Sequence, residues 1–161
     1  MNLPAAAARQ PNRKLECLGQ EAADFAERLG FSVTVISGAD KINPEAITLV
    51  APANTDAENV ALQTVLTQQA EQGAMILLLP LNSQQAKCFG LRAQSQEGWL
   101  RYQPAEAGKP WLAGLSERDR FFRTLGTAQM LKGEGGAFTP WCEPALAGER
   151  NAGKGRPLFL Q

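Results

Sequence analysis

The stretch Ala74-Met75-Ile76-Leu77-Leu78-Leu79 constrains the fold more than any other part of the chain. In a strand, successive side chains point to opposite faces, so an unbroken apolar run needs both faces covered. A half-solvated sheet leaves one face in water, whereas a central parallel strand with helices on both sides does not. What precedes the run agrees. Thr55 and Glu58 have the spacing of a capping box, in which each side chain satisfies a free amide of the first helical turn. The helix so begun carries Leu62, Val65 and Leu66 inward and stops at Gly73. Ile47 to Ala51 is an apolar, β-branched run ahead of it. Strand, helix, strand with short joints is a βαβ unit, for which a parallel sheet and a right-handed crossover are expected.

Around this unit the rest of the chain is read as follows. Residues 1–13, with Pro4, Pro11 and an alanine run, are expected to form a disordered lead, and 14–161 a single domain. From Lys14 the period turns helical: Leu15, Leu18, Ala22, Phe25 and Leu29 fall three and four apart, and Gly30 ends the stripe. Phe31 to Ile36 reads as a strand with Val33 and Val35 on one face. Ser83 is placed to cap a short helix through Phe89. Beyond Gly90 the expectations are a strand from Trp99 to Gln103 and a helical turn capped by Ser116 and running to Arg123. A loop at Gly133-Glu134-Gly135-Gly136 that follows no strand and a last strand from Leu158 to Leu160 complete the reading. A doubly wound domain normally opens on a strand. One that opens on a helix and stops within an apolar run is expected to be a piece of something longer, or to lack its first strand.

Composition then removes several kinds of function. Sixteen basic residues balance sixteen acidic ones, so no long-range field concentrates nucleic acid or an anionic membrane, and neither is expected as a partner. The run from Ala74 to Leu81 is far short of a bilayer span, and Met1 to Lys14 lacks the apolar core of a signal peptide. The compartment stays open. The chain has no histidine. Its three cysteines, Cys17, Cys88 and Cys142, are widely spaced and odd in number, which disfavours a disulfide framework. Without histidine or a C-x-x-C pair, a zinc site has nothing to start from, and neither metal nor cofactor is expected. A thiol nucleophile needs a base or a cation to become thiolate, and histidine normally supplies it. Lys87 beside Cys88 could lower its pKa, but no oxyanion hole is placed near it, so all three cysteines are read as buried or incidental.

Three further motifs bear on function. Gly148-Glu149-Arg150-Asn151-Ala152-Gly153-Lys154-Gly155 matches the G-x-x-x-x-G-K part of a phosphate loop. Gly155 stands where that loop needs Ser or Thr, and a strand rather than a helix follows, so a tight glycine turn is expected and nucleotide binding is rejected. Among the acids, Asp24, Glu27, Glu58 and Glu71 sit on polar sides or ends of helices, and Glu117 and Asp119 in a first turn. Glu134 and Glu143 alone lie in glycine- and proline-rich loops near aromatics. Trp99, Tyr102, Trp111 and Trp141 could stack on sugar rings, or pack at the sheet edge or against a neighbouring domain. The candidate binding residues are therefore Trp111, Trp141, Glu143 and Glu134.

Three segments together resemble a known family. Ala46 to Ala53, the capped helix and Gly73-Ala74-Met75-Ile76-Leu77-Leu78 resemble the core of the class I glutamine amidotransferase-like fold. Pro110-Trp111-Leu112-Ala113-Gly114-Leu115-Ser116-Glu117-Arg118-Asp119 resembles a segment of such domains attached to bacterial glycoside hydrolases of the beta-galactosidase type. Gly153-Lys154-Gly155-Arg156-Pro157-Leu158-Phe159-Leu160-Gln161 resembles their closing element. The resemblance implies an α/β fold of the three-layer, flavodoxin-like kind, a parallel sheet with helices on both faces. In the family's working members a nucleophilic cysteine follows the central strand, served by a histidine and a glutamate. Here that turn reads Pro80-Leu81-Asn82-Ser83, Cys88 lies too far into the next helix, and no catalytic residue carries over. The implied role is a noncatalytic accessory domain of a larger carbohydrate-active protein, packing on an adjacent catalytic domain or self-associating, with carbohydrate as a possible ligand. Two alternatives stay open. One is a small-molecule or sugar-binding module at the carboxyl ends of the strands. The other is a small histidine-independent hydrolase using Glu134, Glu143 or Lys154.

Overall fold

A computed structural model describes residues 14–106, 121–133 and 138–160. In chain order the elements are β1 (Leu15–Leu18), α1 (Gln20–Arg28), β2 (Thr34–Ile36), β3 (Ile47–Val50), α2 (Asp56–Glu71), β4 (Met75–Leu78), α3 (Ser83–Cys88), β5 (Leu91–Arg101), β6 (Gln103–Pro104), β7 (Phe121–Gly133), β8 (Phe138–Pro140), β9 (Cys142–Glu143), β10 (Ala147–Arg150) and β11 (Arg156–Leu160). The main sheet has seven strands in the order β2-β1-β3-β4-β11-β10-β8. The first five run parallel to their neighbours, and β10 and β8 extend the sheet antiparallel.

The unbroken apolar run behaves as its two-faced burial requires. β4 lies between β3 and β11, with Ile47 and Arg156 both in register with Met75. Ile76 and Leu78 face one core with Val50, Phe159, Leu66 and Ala70 of α2 and Ala86 of α3. On the other face Cys17 and Leu49 meet Ala22, Ala23 and Ala26 of α1, with Leu77 packed against them. Helices therefore cover both sides of a mostly parallel sheet. Each fully buried Ile or Leu side chain contributes about 1.5–3 kcal/mol through removal of apolar surface from water. The capping box forms as its spacing predicts: Thr55 Oγ1 accepts from Glu58 N at 3.3 Å, and Glu58 Oε2 accepts from Thr55 N at 3.2 Å.

Four expectations are corrected. The first element is a strand, not a helix. Leu15–Leu18 is hydrogen-bonded to β2 on one side and β3 on the other, Gly19 (φ 84°) turns the chain, and only Gln20–Arg28 is helical. The three-and-four spacing ran across two elements, and strand pairing from distant segments overrode it. The strand expected to be missing is thus β1. Second, the cap of α3 is Asn82 rather than Ser83: its Oδ1 accepts from Gln84 N and Gln85 N, and Gln85 Oε1 accepts from Asn82 N. Third, residues 121–123 belong to strand β7, not to a helix; Ser116, where that helix was to start, lies outside the described residues. Fourth, Gly133 ends a strand, so the glycine cluster does follow one. β5 and β7 form a long antiparallel two-stranded ribbon, with a register shift between Glu97 and Trp99. Its root joins the main core through Leu91 and Leu131, and β6 pairs with β9 in a second small sheet.

Candidate functional site

The carboxyl ends of β3 and β4 are closed by hydrogen bonds between their loops. Asn59 of α2 is fully buried. Its amide donates to the carbonyls of Ala53 and Thr55, and its Oδ1 accepts from Ala53 N, all at 2.9 Å. Gln85 Nε2 donates to Ala53 O at 3.1 Å and Gln84 Nε2 to Asp56 Oδ2 at 2.8 Å, tying the cap of α3 to the start of α2. In the turn after β4, Leu79 and Leu81 are buried, and the Asn82 side chain is engaged as a helix cap. These side chains supply structure and no nucleophile.

The thiols are set apart by burial. Cys17 is enclosed under α1, and burial, with the nearby Glu27 carboxylate adding to it, pushes its pKa above the ordinary 9.0. Cys142 is buried, its Sγ 3.3 Å from Pro144 O. Cys88 is partly exposed, its Sγ 3.7 Å from Gln84 O. Among the described residues no three Asp, Glu, Cys or His side chains converge in a way that could hold a metal ion.

Of the four residues singled out as binding candidates, the structure separates two. Trp141 is 5% exposed and packs with Ala147 and Leu158 against Met75 and Leu77. Its backbone is stitched into the fold by N–H donation to Ala147 O and acceptance from Ala105 N. Glu143 is exposed and lies on the rim of a cavity of about 540 Å³, beside the cis Glu143–Pro144 bond. Gln94, Met130, Lys132, Phe138 and Pro140 are among its other walls. Trp141 and Glu143 therefore do not meet in one site. Trp111 and Glu134 lie outside the described residues, as do Glu117, Asp119 and the side chain of Trp99; Tyr102 is buried.

The glycine–lysine–glycine motif forms a tight turn from β10 into β11. Lys154 N donates to Glu71 O, and Ala152 and Gly155 exchange backbone hydrogen bonds, so these amides face carbonyls rather than an anion. Glycine is demanded by the end of α2. A Cβ on Gly153 (φ 56°) would lie 2.7 Å from Glu71 Cα, and one on Gly155 would collide with the carbonyl oxygens of Ala70 and Ala74.

One surface is apolar where it faces solvent. β2 is an end strand of the sheet, and Leu29, Phe31 and Val35, on it and on its approach from α1, are 61, 56 and 49% exposed. An end strand with unpaired backbone groups and exposed apolar neighbours is a template for association.

No protein-family model matches the chain, and no curated protein matches it. Solved structures do. A cold-adapted beta-galactosidase from a Rahnella species is similar over 92% of this chain with a TM-score of 0.54 and 10% identity. A beta-galactosidase from Bacillus circulans sp. alkalophilus gives 0.54 and 6%, and a GH42 beta-galactosidase from G. stearothermophilus 0.51 and 9%, over the same share. At these identities the likeness is one of fold. The chain spans only 27–28% of the length of those enzymes. Among the described residues, no helix is long and apolar enough to cross a membrane.

Proposed function

We propose that this chain is a noncatalytic accessory domain of a larger carbohydrate-active protein, flavodoxin-like in the manner of class I glutamine amidotransferase-like domains, and that it works as an interface. The observation that carries the reading is the solvent-facing apolar edge at Leu29, Phe31 and Val35. The parallel order β2-β1-β3-β4-β11 supports the flavodoxin-like assignment, since that topology places its strands 2-1-3-4-5. Likeness to about 28% of far longer beta-galactosidases supports placement beside a catalytic domain. The turn after β4 carries no thiol, and no histidine is present to serve one.

The test uses the full chain in solution, followed by light scattering and by turnover of nitrophenyl glycosides. Left without its neighbour, the chain should self-associate as concentration rises, and Phe31→Glu with Val35→Glu should return it to monomer. Both positions are exposed, so the pair should leave thermal stability within about 1 kcal/mol. A wild-type chain that stays monomeric at every concentration, or that turns over glycosides, would overturn the proposal.

A second reading is favoured by the cleft at Glu143, whose wall of Phe138, Lys132 and Gln94 combines an aromatic surface with polar groups. In this reading the domain binds a sugar there. A neutral sugar at a hundredfold its dissociation constant should then stabilise the fold by about 2.7 kcal/mol, and Glu143→Ala should remove the shift.

A further inference from the structure

Arg150 ends β10 opposite Phe138 of β8, and its side chain reaches the far end of α3. Nη2 donates to Phe89 O at 2.7 Å and to Gly90 O at 3.3 Å, and the guanidinium carbon stands 5.8 Å from the centroid of the Phe159 ring. Those two contacts engage one nitrogen of three. Nε is buried without a hydrogen-bond partner, and among the described residues no acceptor is bonded to Nη1. No carboxylate of the described residues pairs with this cation: the neighbouring Glu149 turns to Arg156, at 3.7 Å. Beside Arg150 lies a crevice of about 270 Å³ between α2 and the β10–β11 turn, edged by Gln63, Thr67, Glu71 and Asn151, with Phe159 among its apolar walls.

A guanidinium taken partly out of water is stabilised by an anion in bidentate or charge-assisted contact, and carbonyl dipoles replace that only in part. We infer that this crevice binds a small monocarboxylate carrying hydroxyl groups, of the hydroxy-acid or sugar-acid class, with Arg150 pairing its carboxylate. Burial draws the Arg150 pKa below the usual guanidinium value. The volume is just under the range for drug-sized ligands, which suits a molecule no larger than a monosaccharide. The rim sets the rest of the chemistry. Asn151 offers its amide to hydroxyls, and Gln63 its amide oxygen while its Nε2 donates to Thr67 Oγ1 at 3.2 Å. Glu71 accepts from a hydroxyl while repelling a second negative charge, so a monoanion is preferred over a dianion. The crevice is distinct from the Glu143 cleft and does not depend on the interface reading.

Calorimetric titration of the full chain with sodium glucuronate, gluconate and lactate tests this, with glucose, acetate and inorganic phosphate as controls. At least one hydroxy acid should bind saturably while the three controls bind at least about tenfold more weakly. Arg150→Lys keeps a cation but loses the planar fork, and should weaken binding about tenfold or more. Because Arg150 also holds the end of α3, the exposed Asn151→Ala serves as the second variant: it should weaken binding several-fold with an unchanged melting temperature. Failure of all three hydroxy acids to bind the folded chain overturns the inference. So does binding unaltered in both variants, or phosphate or acetate binding as tightly as the hydroxy acids.

Discussion

Replacing Asn59 by alanine should remove the lock between β3 and α2. The side chain makes three hydrogen bonds of 2.9 Å, two to carbonyls and one from the Ala53 amide, and is fully buried. Each such bond contributes about 1 kcal/mol net, and an orphaned buried group loses its full desolvation free energy instead. Asn59→Ala should therefore destabilise by about 3 kcal/mol, a large share of the roughly 5–15 kcal/mol available to a domain. Asn59→Leu separates bonding from volume: it refills the space but offers neither donor nor acceptor, so it should be at least as damaging. Asn59→Asp keeps an acceptor for Ala53 N but turns a carboxylate oxygen toward the carbonyls of Ala53 and Thr55, and should be the worst at neutral pH. Urea unfolding followed by tryptophan fluorescence reads all three, with the slope expected to stay constant while the midpoint falls. A loss under about 1 kcal/mol for alanine, or a leucine variant as stable as the parent, would refute the reasoning.

Gly155→Ala should destabilise by about 1–3 kcal/mol or more, since the new methyl meets backbone carbonyls of α2 and the segment after it, which have no rotamer to yield; thermal melts check this, and an unchanged melting temperature would contradict the close approach. The raised pKa of Cys17 has a definite sign: the unfolded thiol ionises first, so stability holds below the ordinary 9.0 and falls as pH rises past it. Cys17→Ala should flatten that alkaline limb in urea midpoints measured from neutral pH upward, and parallel limbs for the two proteins would count against it.

How much could be read from the amino acids alone depended on where the deciding partner lies. The β3–α2–β4 unit was legible because its signals are local: a capping box three residues apart and a strand whose own side chains demand cover on both faces. β1 was not, because Leu15–Leu18 becomes a strand only through pairing with Thr34–Ile36 and Ile47–Val50. β5 and β7 escaped for another reason. Six of the eleven residues of Leu91–Arg101 are polar or charged, so no apolar run marks the segment as a strand in the sequence. At the candidate sites, Glu143 stood out as an acid in a proline-bearing turn, and the structure places it on a cavity rim. Arg150 gave no such signal. Its meaning comes from carbonyls 60 and 61 residues away and from a crevice that β10 and β11 complete only after pairing.

The sheet order also separates the proposed surfaces. β2 and β8 are its two ends, six strand intervals apart, or about 29 Å at the usual spacing of about 4.8 Å. A partner docked along Phe31 and Val35 would sit against the parallel end of the sheet. The Glu143 cleft, walled by Phe138 and Pro140 of β8, belongs to the antiparallel end, whereas the Arg150 crevice lies between α2 and the β10–β11 turn, where the two halves meet. Substitutions that far apart, with no shared contacts, act additively unless a two-state element links them. The β2 end can thus serve as the proposed docking platform while the proposed ligand chemistry lies at the β8 end and at the junction of the two halves. The joint between them is β11, which pairs with β4 on one side and β10 on the other. Its Phe159 is buried under α2 and touches Phe89, Phe138 and the Arg150 guanidinium. Because α2 and Leu78 of β4 also line the Arg150 crevice, coupling between a docked partner and an occupied crevice can pass through the parallel half as well as through that strand.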